Sequence, residues 1–290
     1  MSASVFEHPF LGTLLGDDEV AAHFTAASDL AAMLRFEAAL AEAEAEAGVI
    51  PQAAAADIAD AARTLLLAPA DLAAAVARDG VVVPDFVRRL RTAVGEPHAA
   101  FVHRGSTSQD VIDTSLFTRL KAASEILLAR LDALVVGFDQ LAAASGDLVL
   151  AGHTRMQRAR PITLAHKIAG WQDPLVRHQA RFPAVAADLF RVQLGGAVGN
   201  RAELGEAADA VAAGVAVRLG LATAARATHA ERDAIAAYGH WCTLIAGTLG
   251  KFGADIALMA QNEVGEVTIA GAVAPPPCRR RTTRSAPRSW

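Results

Sequence analysis

A short polar segment, residues 103–109, has residue types that suit an anion. It contains an imidazole, a glycine and three hydroxyl groups, and it stands directly before a long helical pattern that begins near Asp110. A serine or threonine at this position can cap the helix. The free N–H groups and the positive end of a helix also attract a carboxylate. The residue types therefore leave two interpretations open, a structural helix cap and a carboxylate-binding loop.

Two further segments are rich in polar residues or glycine. Residues 152–163 contain three arginines, one histidine and several hydroxyl or amide donors. The planar guanidinium group matches a carboxylate in geometry and charge, and a solvated basic loop is the alternative. Residues 195–200 are glycine-rich, but they do not match a dinucleotide-binding fingerprint and no strand is predicted before them. We interpret this third segment as a tight turn that lets two helices approach.

The sequence lacks the motifs of several common kinds of active site. The nine histidines include no HExxH pair, and no Cys/His cluster has zinc spacing. Neither a nucleophile elbow nor a Walker A sequence is present, although spacing alone does not exclude a Ser-His-Asp triad. We therefore expect no metal and no cofactor.

Composition and periodicity predict that helices position these segments in an all-α fold. Apolar residues make up 53% of the 290 residues and aromatic residues only 5%, and the abundant alanine is the best helix former. Pro174 and Pro183 are expected to kink or break one of the long helices. Helices of such length favour a bundle that is completed by other subunits. The predicted helices span residues 29–48, 51–67, 85–94, 110–144, 163–193, 202–219 and 232–260, with one more starting near residue 69.

Charge, cysteine usage and hydropathy limit the class of protein. The net charge of −4 predicts no nucleic-acid partner, and two cysteines exclude a disulfide scaffold. The first residues lack the basic and apolar regions of a secretion signal. The most apolar predicted helix, residues 234–260, contains Lys251 and Asp255. We expect a soluble cytoplasmic protein without a membrane partner.

Taken together, these segments resemble the signature regions of the fumarase/aspartase superfamily. The first signature is similar to GSTSQDVIDT at residues 105–114, the second to residues 152–163, and the third to EVGEV at residues 263–267. The resemblance covers about residues 18–271. The sequences FEAAL at 36–40, KIAGW at 167–171 and AGTLGK at 246–251 resemble the branch that lactonises 3-carboxy-cis,cis-muconate in aromatic degradation.

The resemblance implies a homotetramer whose long helices form a central bundle of the fumarase/aspartase type. Each active site would be assembled from three subunits and would bind a small di- or tricarboxylate. The implied chemistry is proton transfer at a carbon beside a carboxylate, through an enediolate-like species and without a metal. We place an N-terminal helical domain at residues 1–100, the long-helix bundle domain at 101–271 and an irregular basic tail at 272–290.

The resemblance also implies roles for residues of the first two signatures. Thr107 and Ser108 would bind one substrate carboxylate through hydroxyl and backbone donors. Thr154, Arg155 and Gln157 would bind and polarise the other end of the substrate, where they would stabilise developing negative charge.

Further positions are predicted with alternatives. His103 stands where the superfamily has a histidine that faces the substrate. Arg232 is a candidate clamp for a carboxylate, or else an ordinary charge at the start of a helix. The predicted catalytic residues are Arg155 and His153, and the predicted substrate-binding residues are His103, Ser106, Thr107, Ser108, Gln109, Thr154, Gln157, Asn200 and Arg232.

Arg155 distinguishes between branches of the superfamily, because the lyases carry a histidine at this position. Arginine stays protonated at any working pH, so it is a poor general acid. A lyase that releases an amine must protonate its leaving group, whereas a lactonising enzyme, read in reverse, expels a carboxylate. Arg155 therefore favours the cycloisomerase branch. The alternatives are His153 as a displaced acid in a lyase that releases fumarate from a succinyl adduct, and a catalytically inactive relative.

The segment at 272–290 is rich in proline and arginine and has no helical periodicity. A disordered basic tail is one interpretation. The superfamily has a catalytic loop of the form GSSxMPxKxNP here, whose serine is the proposed base, and this chain lacks it. The frame that starts at the third base of the Val273 codon can spell GSSAMPQKxNPV. We hypothesise that the residues from about Val273 are a frameshift product and that the bundle domain is incomplete, which the nucleotide sequence beyond codon 265 tests.

Overall fold

The computed structural model describes residues 4–269. Within these residues the chain is helical apart from one β-hairpin and its loops, which confirms the all-α prediction. The tail predicted at 272–290 lies outside the described residues. The elements are α1 (Leu11–Leu15), α2 (Asp18–Ala21), α3 (Ala26–Glu46), α4 (Gln52–Thr64), α5 (Pro69–Asp79), α6 (Val83–Val94), α7 (Ser108–Ser145), β1 (Val149–Thr154), β2 (Gln157–Thr163), α8 (Leu164–Leu189), α9 (Ala208–Leu219) and α10 (Asp233–Met259).

Helix α3 is the central element of the N-terminal half, since it packs against α4, α7 and α9. Small residues allow these helices to approach closely. A β-carbon built on Gly214 of α9 would lie only 2.8 Å from the β-carbon of Ala43 on α3. Large side chains fill the core on the other side, where Phe36, Ile58 and Phe86 are fully buried. Burial of such side chains contributes about 1.5–3 kcal/mol each.

The three longest helices, α7, α8 and α10, pack side by side. Phe138, Trp171 and Phe252, one from each helix, form an aromatic cluster with ring centroids 5.1–6.0 Å apart. The indole N–H of Trp171 donates to Asp255 Oδ2 at 2.7 Å, and Lys251 Nζ lies 2.6 Å from the same oxygen. These contacts fix the relative position of the helices that carry the signature segments at their ends.

Three sequence predictions about elements need correction. Helix α8 continues through Pro174 and Pro183 without a break, because its packing against α7 and α10 offsets the hydrogen bonds that the two prolines remove. Residues 202–219 are not one helix, since a 3-10 turn, Ala202–Ala207, ends at the non-helical Gly205 region before α9. The segment predicted as a loop at 152–163 lies mostly in the hairpin β1–β2.

Helix α10 is largely uncovered within the chain. It is long and apolar enough to cross a membrane by length and composition alone, and only 6% of its most apolar stretch is buried. Its buried residues are Tyr238, Trp241 and Met259. The ion pair between Lys251 and Asp255 lies in the middle of this helix. The exposed remainder of α10 is therefore an apolar surface with a charged pair in it.

Candidate active site

The loop of residues 103–107 leads into the N-terminus of α7, with Thr107 as the cap residue. The backbone N–H of Thr107 donates to Asp110 Oδ2 at 3.0 Å, so the interpretation as a helix cap is confirmed. Gly105 has φ of +63°, and Leu204 packs against it so closely that a β-carbon would lie 2.6 Å from a leucine methyl. Glycine is therefore required there. Among the described residues, the Ser106 hydroxyl is buried without a hydrogen-bond partner.

Asp110 joins three segments of the chain. Its carboxylate is fully buried and accepts hydrogen bonds from the N–H groups of Gly195 at 2.9 Å and Gly196 at 3.0 Å, besides the bond from Thr107. His229 Nε2 lies 2.5 Å from Asp110 Oδ1. The glycine-rich turn and the segment before α10 are thus tied to the start of α7 by one side chain.

A second acidic residue of α7, Asp113, holds two predicted site residues. Gln109 Nε2 donates to Asp113 Oδ1 at 2.8 Å, and Arg232 Nη1 donates to both oxygens at 2.9–3.0 Å. Arg232 also donates to the His229 carbonyl, and it immediately precedes α10. The guanidinium predicted as a substrate clamp is therefore partly engaged within the chain.

His103, the first residue of the loop, is held from α3. Its Nδ1 lies 2.6 Å from Glu37 Oε1, and the two side chains are 14% and 1% exposed. Its backbone has φ of +64°, a left-handed conformation that is uncommon for a residue other than glycine. The predicted substrate-facing imidazole is thus fixed in both backbone and side chain.

The residues predicted from the second signature lie on the hairpin. His153 and Thr154 are in β1, Gln157 begins β2, and the tight turn between them contains Arg155 and Met156 with φ of 48° and 61°. All of these side chains are exposed. Within the part of the chain that the structure describes, no hydrogen bond or ion pair joins the hairpin to residues 103–109.

Asn200 is exposed beside the glycine-rich turn, and its Oδ1 accepts a hydrogen bond from the Ala202 N–H at 3.1 Å. The next residue, Arg201, is buried. Its guanidinium donates to the Leu194 carbonyl at 2.7 Å and to the Ala224 carbonyl at 2.6 Å. These hydrogen bonds of Arg201 therefore hold the C-terminal end of the predicted tight turn in place.

Several residues with polar contacts around the loop were not among the predicted site residues, and they include Glu37, Asp110 and His229. Asp110 lies inside the signature GSTSQDVIDT, but its local sequence does not reveal partners about 85 and 119 residues away. For Glu37 the local sequence indicates a buried partner more strongly than it does for Asp110. It lies on the apolar face of α3 beside Phe36 and Leu40, and a carboxylate in such a stripe is rarely buried without a partner.

The assembled site favours an anion. Ser106, whose hydroxyl is buried without a partner among the described residues, lies two residues before the N-terminus of the 38-residue helix α7, and such a helix end attracts negative charge. Within residues 4–269 no group of three or more His, Cys, Asp or Glu side chains is arranged to hold a metal ion.

Comparisons with known proteins agree with this architecture. The chain is 42% identical to the 3-carboxy-cis,cis-muconate cycloisomerase of Pseudomonas aeruginosa over 241 residues, which cover 82% of this chain and 52% of that protein. It is 36% identical to the nitrosuccinate lyase of Streptomyces davaonensis over 277 residues, with 92% and 58% covered. The crystal structure of the 3-carboxy-cis,cis-muconate lactonizing enzyme from Pseudomonas putida has a TM-score of 0.82 at 38% identity, covering 86% of this chain and 57% of that one.

This chain spans somewhat more than half the length of the curated relatives it matches. The family model described as "Lyase" matches residues 16–275, which include all three signature regions. The chain therefore belongs to the lyase family of the fumarase/aspartase superfamily.

Proposed function

We propose that the protein is a cycloisomerase that lactonises 3-carboxy-cis,cis-muconate to carboxymuconolactone in protocatechuate degradation. Relatives of similar identity include both cycloisomerases and lyases, so similarity alone does not decide between them. The observation that carries the proposal is Arg155 at the exposed hairpin turn, in the position where the lyases have a histidine. Arginine stabilises negative charge but is a poor proton donor.

In the proposed reaction, one substrate carboxylate adds to the neighbouring double bond. A C–O bond forms, the C=C π pair moves onto the carbon beside another carboxylate, and a proton is delivered to that carbon. Ser106, Thr107 and Ser108 bind one carboxylate at the start of α7, where the helix end and the unpartnered Ser106 hydroxyl favour an anion. The enediolate-like charge is stabilised by Arg155.

We further propose that the active site is shared between subunits of a homotetramer in the cytoplasm. The exposure of Thr154, Arg155 and Gln157 supports this assembly, because these side chains need a partner surface to meet a substrate. The poorly covered α10 supports it as well, since an apolar helix of this length is usually packed against neighbours. The remaining hairpin candidate, His153, is also exposed.

A lyase that releases fumarate from a succinyl adduct is the second candidate. It is favoured by the 36% identity to a nitrosuccinate lyase and by His153, which is exposed two residues from Arg155 and has an imidazole that suits a general acid. Amine release would require such an acid.

The test is incubation with 3-carboxy-cis,cis-muconate, followed by ultraviolet spectroscopy for loss of the diene and by NMR for the lactone. If the shifted frame hypothesised from the sequence encodes the loop serine and lysine, a chain translated through it is expected to form lactone. Arg155→Ala should abolish most of this turnover, whereas Arg158→Ala, also exposed on β2, serves as the matched control. Fumarate release from a succinyl amine without lactone would favour the lyase. Binding of tricarboxylates without any product would favour an inactive relative.

A further inference from the structure

We propose that Glu37 is a positioning residue for the reaction, which holds the His103 imidazole in its charged form beside the loop of residues 106–108. The inference rests on the proposed function only in that it makes this imidazolium a partner of the substrate carboxylate. No motif assigns a role to Glu37, which lies 66 positions before His103 in the sequence.

The geometry of the pair is specific. Glu37 is 1% exposed on α3 and approaches His103 Nδ1 at 2.6 Å. Its neighbours on the same helix, Phe36 and Leu40, are apolar and fully buried. A carboxylate in such surroundings is costly unless it is paired, and His103 is the partner the structure provides. The left-handed backbone at His103 is a sparsely populated conformation that persists only where surrounding contacts hold it.

The charges around His103 favour the imidazolium. Burial by itself lowers the pKa of His103, but the charge of Glu37 and its hydrogen bond outweigh burial. Asp110 on α7 acts in the same direction and Arg91 on α6 opposes it, and the net result is a raised pKa for His103.

The other buried acid on this face of α3 does not compete for the proton of His103. Burial and then the charge of Glu37 raise the pKa of Glu44 to about 8, against an opposing contribution from Arg104. Glu44 is therefore largely neutral at pH 7.

The contact at Nδ1 also determines which ring nitrogen of His103 is available to bind the substrate. With Nδ1 bonded to Glu37, Nε2 carries the second proton of the imidazolium and is directed away from the carboxylate. Among the described residues Nε2 has no partner. A fixed donor with a full positive charge, in the same loop as Ser106 and Thr107, would form a charge-assisted hydrogen bond to a substrate carboxylate.

The test compares Glu37→Gln with Glu44→Gln in the full chain. Glutamine keeps the size of the side chain and removes its charge, and Glu44 is a matched control because it is equally buried two turns along the same helix face. With histidine labelled at 13Cε1, and the His103 resonance assigned from its loss in His103→Gln, the titration midpoint of His103 is measured by NMR. Glu37→Gln should lower this midpoint by about one pH unit or more, and Glu44→Gln should change it by much less.

Kinetics supply a second readout. In Glu37→Gln the KM for 3-carboxy-cis,cis-muconate should rise about tenfold at a pH between the His103 titration midpoints of the parent and the variant. Most of the loss should be recovered at a pH below the midpoint of the variant, where the imidazole is protonated without Glu37. A purely structural role of Glu37 would raise KM equally at both pH values.

An unchanged His103 midpoint in folded Glu37→Gln, or equal shifts in both variants, would overturn the inference. If Glu37→Gln does not fold, Glu37→Asp keeps the charge but lengthens the contact. That variant should lower the midpoint by a smaller amount, and an unchanged midpoint there would count against the pair. The NMR titration does not depend on turnover. A shifted midpoint in a protein that forms no lactone would refute the proposed function but would still support the Glu37–His103 pair.

Discussion

Glu44 is an uncompensated buried acid, because both of its carboxylate oxygens are buried without a hydrogen-bond partner among the described residues. Burial is the main cause that raises its pKa from 4.5 to about 8. Between these values the folded protein binds a proton that the unfolded chain releases. The free energy of unfolding contributed by this group therefore falls as the pH rises from about 4.5 to about 8.

We predict that Glu44→Gln removes this pH dependence. The variant should be more stable than the parent at about pH 9, by an amount on the order of a few kcal/mol, and nearly unchanged at about pH 5. Urea unfolding at the two pH values measures the difference. Glu125→Gln, an exposed position on α7, is the control and should change stability little at either pH. A Glu44→Gln protein that is no more stable than the parent at about pH 9 would contradict this prediction.

Asp110→Asn is predicted to be strongly destabilising. The carboxylate accepts bonds from three backbone N–H groups and contacts His229. An asparagine has one acceptor oxygen, so buried donors would be left unpaired at about 1–3 kcal/mol each. Chemical denaturation should show a loss of about 3 kcal/mol or more. The matched control is Asp209→Asn, whose ion pair with Arg201 is made by a side chain that is 96% exposed. A comparable loss in both variants would show that burial of Asp110 is not the cause.

At the residue scale, local sequence was informative where a role is local. The cap at Thr107 follows from a hydroxyl residue before an apolar periodic run, and the structure confirms it. The pairs Glu37–His103 and Asp110–His229 join residues that are 66 and 119 positions apart. No periodic pattern encodes such a distance. These partners became visible only once α3, α7 and the segment before α10 were placed against one another.

At the scale of elements, helix prediction succeeded where periodicity was long and uninterrupted. Helices α7 and α10 lie within two residues of the predicted 110–144 and 232–260 at each end. The hairpin was missed because β1 begins with consecutive apolar residues and β2 is mainly polar, so that neither strand alternates between apolar and polar positions. Most residues of β2 are exposed, which explains their polar character.

The hairpin provides a test of a site shared between subunits. In a mixture of Arg155→Ala chains and Ser108→Ala chains, some sites of a mixed assembly would receive an intact hairpin and an intact loop from different chains. Turnover of 3-carboxy-cis,cis-muconate, or tricarboxylate binding measured by calorimetry where there is no turnover, should therefore recover on mixing. Arg155→Ala mixed with Thr154→Ala is the matched control and should not recover, because both changes lie in the same hairpin. Recovery in neither mixture would place the complete site within one chain.

At the scale of the whole molecule, composition predicted an all-α fold but not which surfaces remain uncovered. The alanine-rich helices α4 and α9 both pack on α3 within the chain, whereas α10 buries only three residues. A sequence reports that a helix is apolar but not which neighbour covers it. In the homotetramer proposed above, a neighbouring subunit would bury α10, so that the same assembly would cover this helix and complete the site.

We predict that the protein assembles through α10 and that a charge on the uncovered part of this helix disrupts the assembly. Leu249 and Leu258 on α10 are 37% and 39% exposed within one chain. Light scattering coupled to size exclusion should give about four times the 30.1 kDa of one chain for the parent, and a smaller mass for Leu249→Asp, because an unpaired charge in an apolar interface is costly to desolvate. Leu66→Asp, at a leucine that is 94% exposed between α4 and α5, should leave the mass unchanged.

Tricarboxylate binding by Leu249→Asp should weaken as its mass falls, since the hairpin would lose the partner loop that completes its site. A monomeric parent, or a Leu249→Asp protein of unchanged mass, would mean that α10 is not the interface and that the exposed hairpin needs another explanation.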